Sequence, residues 1–230
     1  MIKIYPKSAP MRFAVLAADV ALFTLRDGEL YLRLITVNRP PHFKNIPGLP
    51  GGLLAPSETA EAAAARHLET KTGIRAKRVY REQLYTFSAV NRDPRGRVVA
   101  VAYLALVPWG RLSPNEQKDS GETYWRRLTD IRRLAYDHNE IVKAAMERLR
   151  SRSISTTMIG KLLPDEFTLT ELERAYEAIL NQNLDKRNFR KKILKLKILA
   201  PLPRKRTGGR FRPAQLYRFA SPRVHEIEIL

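Results

Sequence analysis

The chain has 230 residues, 44% of them hydrophobic, which leaves room for one large domain or two small ones with a real core. It carries 42 Lys and Arg against 23 Asp and Glu, a formal charge of +19, and such a field favours polyanions: DNA, RNA, nucleotides or an acidic membrane surface. The absence of cysteine excludes a disulfide framework and thiolate metal sites, and no apolar run is long enough to span a bilayer.

The N-terminal MIKIYPKSAPMRF lacks the long apolar core of a secretion signal, and the lack of cysteine permits a cytosolic home, which is the location expected. Residues 12–25 and 30–37 are β-rich runs on either side of Asp27-Gly28, a strong turn pair, and read as a hairpin. Asn38 to Asn45, NRPPHFKN, reads as a loop that its prolines keep out of the sheet. The glycine pair Gly51-Gly52 then closes a tight loop. An alanine-rich helix is expected from about Ser57, as N-cap, to Gly73, which fits the left-handed position past a helix end.

This stretch resembles the Nudix box: G, five residues, E, seven residues, then R-E-U-x-E-E-x-G-U with U aliphatic. Gly52, Glu58, Arg66, Leu68, Gly73 and Ile74 stand in register, while the metal-binding glutamates are replaced by His67, Thr70 and Lys71. Magnesium needs several hard oxygen ligands, usually anchored by carboxylates, and pyrophosphate chemistry depends on that cation. Lys71 puts a positive charge where the metal belongs. Glu69 is no substitute, because one residue along a helix rotates the side chain by about 100°. The resemblance therefore implies a Nudix scaffold that keeps its pocket without catalytic residues, metal or required cofactor. It also implies an effector site framed by Arg39, Phe43 and Lys44, with the Gly51 and Gly52 amides, Arg39 and Arg66 at the diphosphate.

Beyond the box, residues 77–91 and 97–107 flank the turn Asp93-Pro94-Arg95-Gly96 and read as a second hairpin. The string NRDPRGRVVAVAYLALV is similar to ADP-ribose-directed Nudix proteins, as is 122–142, which holds Trp125. A last helix is expected to end near Arg150, and His138, with no nucleophile beside it, is assigned no catalytic role. The fold class expected is α/β: a Nudix α/β/α sandwich with a mixed sheet over residues 1–150.

Residues 151–166 are polar, hold Gly160 and Pro164, show no sustained period, and read as a linker. From Phe167 to Leu230 the character changes. Leu169, Leu172, Tyr176, Ile179 and Leu180 recur at helical spacing, with Thr168 or Thr170 available to cap. In the next helix Phe189, Ile193 and Leu196 form a buried stripe, opposite Arg187, Asn188, Arg190, Lys191 and Lys195. Short β runs at 198–202 and 215–219 enclose PRKRTGGRFRPA, a basic hairpin tipped by Gly208-Gly209. Residues 186–218 hold 13 basic side chains and no acidic one, which makes polyanion binding the leading reading. A small winged helix-turn-helix follows, its recognition helix in the major groove and its wing on phosphates or the minor groove. The DNA-binding candidates are Lys186, Arg187, Asn188, Arg190, Lys191 and Lys195 on the helix, and Lys205, Arg206, Arg210 and Arg212 on the wing.

With the degenerate box ahead of it, this half resembles the Nudix-related transcriptional regulators of the NrtR type. The resemblance implies a homodimeric bacterial repressor of NAD-metabolism genes on a palindromic operator in double-stranded DNA, with ADP-ribose or a related nucleotide as effector. Relatives that respond to sugars leave the effector open. The rival is a working hydrolase that recruits carboxylates from Glu58, Glu61, Glu69 and Glu122 and carries a nucleic-acid-binding tail.

Overall fold

The structure, a computed structural model, describes residues 13–207 and 213–229. Strands β1 (Val15–Arg26) and β2 (Glu29–Arg39) form the expected hairpin, with Arg26 opposite Glu29. Asp27 and Gly28 sit at φ 53° and 81°, the paired left-handed turn whose twist matches the flanking strands. The loop expected over Asn38–Asn45 is shorter. β2 continues through Arg39, and β3 (Phe43–Gly48) begins opposite it. Pro40 and Pro41, which lack the N–H that pairing requires, fall in the turn, while Pro47 is tolerated because β3 is an edge strand. Gly51 and Gly52 belong to a short strand, β4 (Gly51–Leu53), paired with β1.

Helix α1 (Ala60–Thr72) starts later than Ser57 would place it: Thr59 is the N-cap, its Oγ1 accepting from Ala62 N at 3.1 Å. The cause is Glu58, whose carboxylate accepts from Ala55 N at 2.6 Å and ties residues 55–58 into a separate turn. Gly73 ends the helix at φ 73° as expected. Strands β5 (Tyr80–Phe87) and β6 (Val98–Leu106) pair antiparallel, and β6 runs parallel to β1 in the centre. The sheet order is β3-β2-β1-β6-β5, with β4 added on β1. The short helix α2 (Pro114–Gln117) leads to β7 (Thr123–Arg127), which pairs with β2, and then comes helix α3 (His138–Ser155).

Alternation along β1 explains the layers. Ala18, Val20 and Leu22 face α1 through Ala63, Ala64 and Leu68, whereas Ala21 and Phe23 face α3 through Ile141, Ala145 and Leu149. This is the α/β/α sandwich with a mixed sheet.

The stretch 151–166, expected as a linker, is a packed connection. α3 runs on to Ser155, a 3-10 turn covers Thr157–Lys161, and Met158, Ile159, Leu162 and Leu163 are buried in one core with α3. Their spacing follows neither a helix nor a strand, so no sequence period announces the burial. Strand β8 (Phe167–Thr168) opens the C-terminal unit. Helix α4 (Leu169–Leu180) follows, and of the two threonines Thr168 is the cap, in a reciprocal box with Glu171. Helix α5 (Lys186–Lys195), capped by Asp185, packs Phe189 against Tyr176 with ring centroids 5.2 Å apart. Strands β9 (Leu199–Arg206) and β10 (Ala214–Phe219) complete a small sheet in the order β8-β10-β9. The hairpin tip Gly208-Gly209, with Arg210 and Arg212, lies outside the described residues. The two units share a seam, where Tyr176 Oη donates to Ser153 O at 3.2 Å and Arg150 Nε to Ile179 O at 3.1 Å.

Candidate effector pocket and nucleic-acid interface

A cavity of about 820 Å³ opens between β2, β4, the box helix and the loop joining β5 to β6. Its walls exist because Gly51 and Gly52 lack side chains. A Cβ at Gly51 would collide with the Asp19 carboxylate, and one at Gly52 would stand 2.6 Å from His67 Cε1. The floor is a buried charge cluster. Arg92 donates to both oxygens of Asp137, at 2.6 and 2.8 Å, and to Asp19 Oδ2 at 3.3 Å. Burial pushes the Asp19 carboxyl up to about 6 against the lowering pull of Arg92. His138 Nδ1 accepts from Leu49 N at 2.9 Å, which leaves its proton on Nε2, 3.8 Å from Asp19 Oδ1. Burial pushes that imidazole down to about 3. At the mouth Tyr136 packs against Phe43 in a tilted pair, ring centroids 4.4 Å apart, and Arg95 lies 5.4 Å over the Tyr136 ring.

Of the effector residues expected from sequence, Arg39, Gly51 and Gly52 line this cavity. Phe43 sits behind Tyr136, and Lys44 is exposed on β3, where Asn45 rather than Lys44 faces the cavity. Arg66 is engaged elsewhere: its guanidinium pairs with Glu58 and donates to Leu53 O at 3.2 Å. That contact holds the Glu58 carboxyl down at about 2. Sequence reasoning missed Arg92, Asp93 and Arg95 as cavity walls, because Asp-Pro-Arg-Gly reads as a turn and nothing local says that its side chains fold inward.

The box positions do not fit a magnesium site. His67, Thr70 and Lys71 face the cavity, and Lys71 donates to Gly51 O. Glu69 points away and accepts from Ala76 N at 2.8 Å. Asp93 is clasped by Arg95 at 2.7 Å. No group of three or more His, Cys, Asp or Glu able to hold a metal occurs among the described residues.

On the C-terminal unit, Arg187, Asn188, Lys191 and Lys195 are exposed on one face of α5, opposite buried Phe189 and Ile193, while Lys186 is exposed beside the buried stripe. Three polar side chains of α5 are engaged within the unit. Asn188 Nδ2 donates to Asp185 Oδ2 at 2.9 Å, and Arg190 reaches Glu173 at 3.2 Å and Thr170 Oγ1 at 3.0 Å. The Glu173 carboxylate is 1% exposed, so Arg190 and Lys186, at 3.5 Å, brace α5 against α4. On β9, Arg206 pairs with Glu171 at 2.6 Å and Arg204 with Glu166, while Lys205 is exposed.

Fold and sites together define a Nudix domain joined to a winged-helix DNA-binding module. The chain belongs to the NrtR family: residues 15–148 match the NUDIX domain and residues 159–219 the NrtR DNA-binding winged helix domain. It is 35% identical over 210 residues to the ADPR responsive transcriptional repressor NtrR of Acinetobacter baylyi, covering 90% of this chain and 82% of that protein. Shewanella oneidensis NrtR, solved in complex with a 27mer DNA, superposes with a TM-score of 0.78 at 33% identity, covering 89% of this chain and 93% of that one. The NUDIX domain of the same Shewanella protein, solved with ADP ribose, is 32% identical with a TM-score of 0.52, covering 64% of this chain and 94% of that one. No helix among the described residues is long and apolar enough to cross a membrane.

Proposed function

We propose that this protein is a ligand-responsive transcriptional repressor. Its winged helix holds a palindromic operator as part of a homodimer in the bacterial cytosol, and its Nudix cavity senses ADP-ribose or a close relative. NAD-metabolism genes are the expected targets. The observation that carries the reading is a basic recognition face on α5, joined through one continuous core to a cationic, nucleotide-sized cavity. A two-fold dimer places its two α5 helices about one DNA turn apart, so operator symmetry mirrors protein symmetry. An effector shifts DNA affinity only as far as it discriminates between dimer geometries that do and do not match that spacing. Hydrolysis is not part of this reading, since Glu58 is clamped, Glu69 faces away and the box carries no carboxylate cluster among the described residues.

The test is selection of random duplex DNA near physiological salt with a polyanion competitor, because a +19 chain holds any DNA when salt is low. Enrichment of one palindrome supports the repressor, and that site then serves as the probe for ADP-ribose, NAD and sugar titrations. No preferred sequence, together with magnesium-dependent AMP release that Glu58→Gln abolishes, would establish the hydrolase instead.

Two outcomes are expected at the DNA interface. Arg187→Ala should weaken operator binding by about 1–3 kcal/mol in fluorescence anisotropy and relax specificity at one base position, because Arg187 is exposed on α5. Lys205→Ala with Arg206→Ala should weaken all sequences alike, and the log–log salt slope should shrink by about 0.9 for each phosphate that is no longer neutralised. An unchanged slope would remove the wing from the interface.

A further inference from the structure

The diphosphate of a nucleotide needs its charge neutralised, and in a Nudix pocket a divalent cation on glutamates normally serves that end. This cavity holds fixed cations in its place. Lys71 occupies a box position where a metal-binding glutamate would stand, and its ammonium is fixed against the Gly51 carbonyl on the cavity wall. Arg39 lines the same cavity, and its guanidinium donates to the Asn38 carbonyl at 3.2 Å. Neither has a carboxylate within ion-pair range among the described residues. Burial lowers the Lys71 ammonium from its ordinary range; Asp19 counters this, while Arg39, Arg66 and Arg95 push it down further. These cations therefore repel one another across a partly desolvated space, and an anion is what relieves the repulsion.

We infer that Lys71, with Arg39, replaces the divalent metal, so that the pocket takes a diphosphate nucleotide without any metal ion. Each diester phosphate carries a single negative charge, and these two cations match a diphosphate. A magnesium ion arriving with the ligand would meet the Lys71 ammonium and no carboxylate cluster among the described residues. The inference rests on the reading of this cavity as a nucleotide site, and it adds that effector affinity responds to phosphate charge but not to metal supply.

Isothermal titration calorimetry decides it, using ADP-ribose and inorganic pyrophosphate as separate probes, each in EDTA and in excess magnesium. Wild type should bind both in EDTA with undiminished affinity. Lys71→Met, which keeps the stem and drops the charge, should lose about tenfold or more for both probes, the worth of a charge-assisted hydrogen bond. Lys71→Arg should keep most of the affinity, and it reports on the charge even if the methionine variant folds poorly. Magnesium-dependent ADP-ribose binding by wild type, or wild-type affinity in Lys71→Met, would overturn the inference. Metal-free binding of pyrophosphate without ADP-ribose would leave Lys71 in its role and remove the proposed effector. Binding of neither probe removes both.

Discussion

Arg92→Met should destabilise the protein by about 3–5 kcal/mol at pH 8, read by urea denaturation, because it strips the partner from the buried Asp19 carboxylate and from half-buried Asp137. Arg92 is 6% exposed and Asp19 5% exposed, and Arg92 also makes both short contacts to Asp137, so water cannot replace what it supplies. The loss should shrink on acidification. Asp19 already holds its proton up to about 6 against an ordinary 3.8, so the folded state binds the proton more tightly than the unfolded chain. A carboxyl raised in this way favours the folded state below pH 4 and loses that advantage as pH rises through about 6. Removing Arg92 removes a cation that holds Asp19 down, so the variant should lose stability with rising pH more steeply than wild type. A pH-independent deficit would mean that Asp19 is not the group left exposed to charge.

His138 has the opposite sign. Folded, it stays neutral to about pH 3, whereas the unfolded imidazole takes up its proton near 6.5. Between those values the unfolded chain binds more protons, so stability present above pH 6.5 is lost as the pH falls, by up to about 5 kcal/mol in full. From pH 6 to 4 the Asp19 contribution partly offsets this, and below pH 4 only the histidine penalty continues. His138→Gln keeps an acceptor for Leu49 N and removes the titration, so its denaturation midpoint should fall less than that of wild type between pH 6.5 and 4. Parallel curves for the two proteins would locate the acid sensitivity elsewhere. His138 thereby has a structural use, holding the buried Leu49 backbone at the floor of the cavity.

These buried groups and the box residues differ greatly in how far the chain announces them. Glu58, Arg66 and Gly73 stand at fixed spacings within one helix and its flanks, so their register is visible in the sequence. Arg92 and Asp19 are 73 positions apart, and His138 meets Leu49 across 89. The Arg92–Asp19 contact depends on β6 lying parallel to β1, with Asp19 opposite Ala102. That parallel pairing depends on a crossover that no local pattern states.

What the amino-acid sequence determined by itself was local: the Asp27-Gly28 turn, the Gly73 helix end, the apolar stripes of α4 and α5, and the basic excess over 186–218. Each follows from backbone geometry or side-chain period, which neighbours in the chain already specify. Tertiary structure alone decided which polar groups became a site. It turned Lys71 toward the Gly51 carbonyl and Glu69 away to cap Ala76, braced Arg190 on buried Glu173, and folded 158–163 into the core instead of leaving it as a linker. Charges and irregular apolar residues carry no period, so their partners are set only when the sheet and helices bring distant segments into contact.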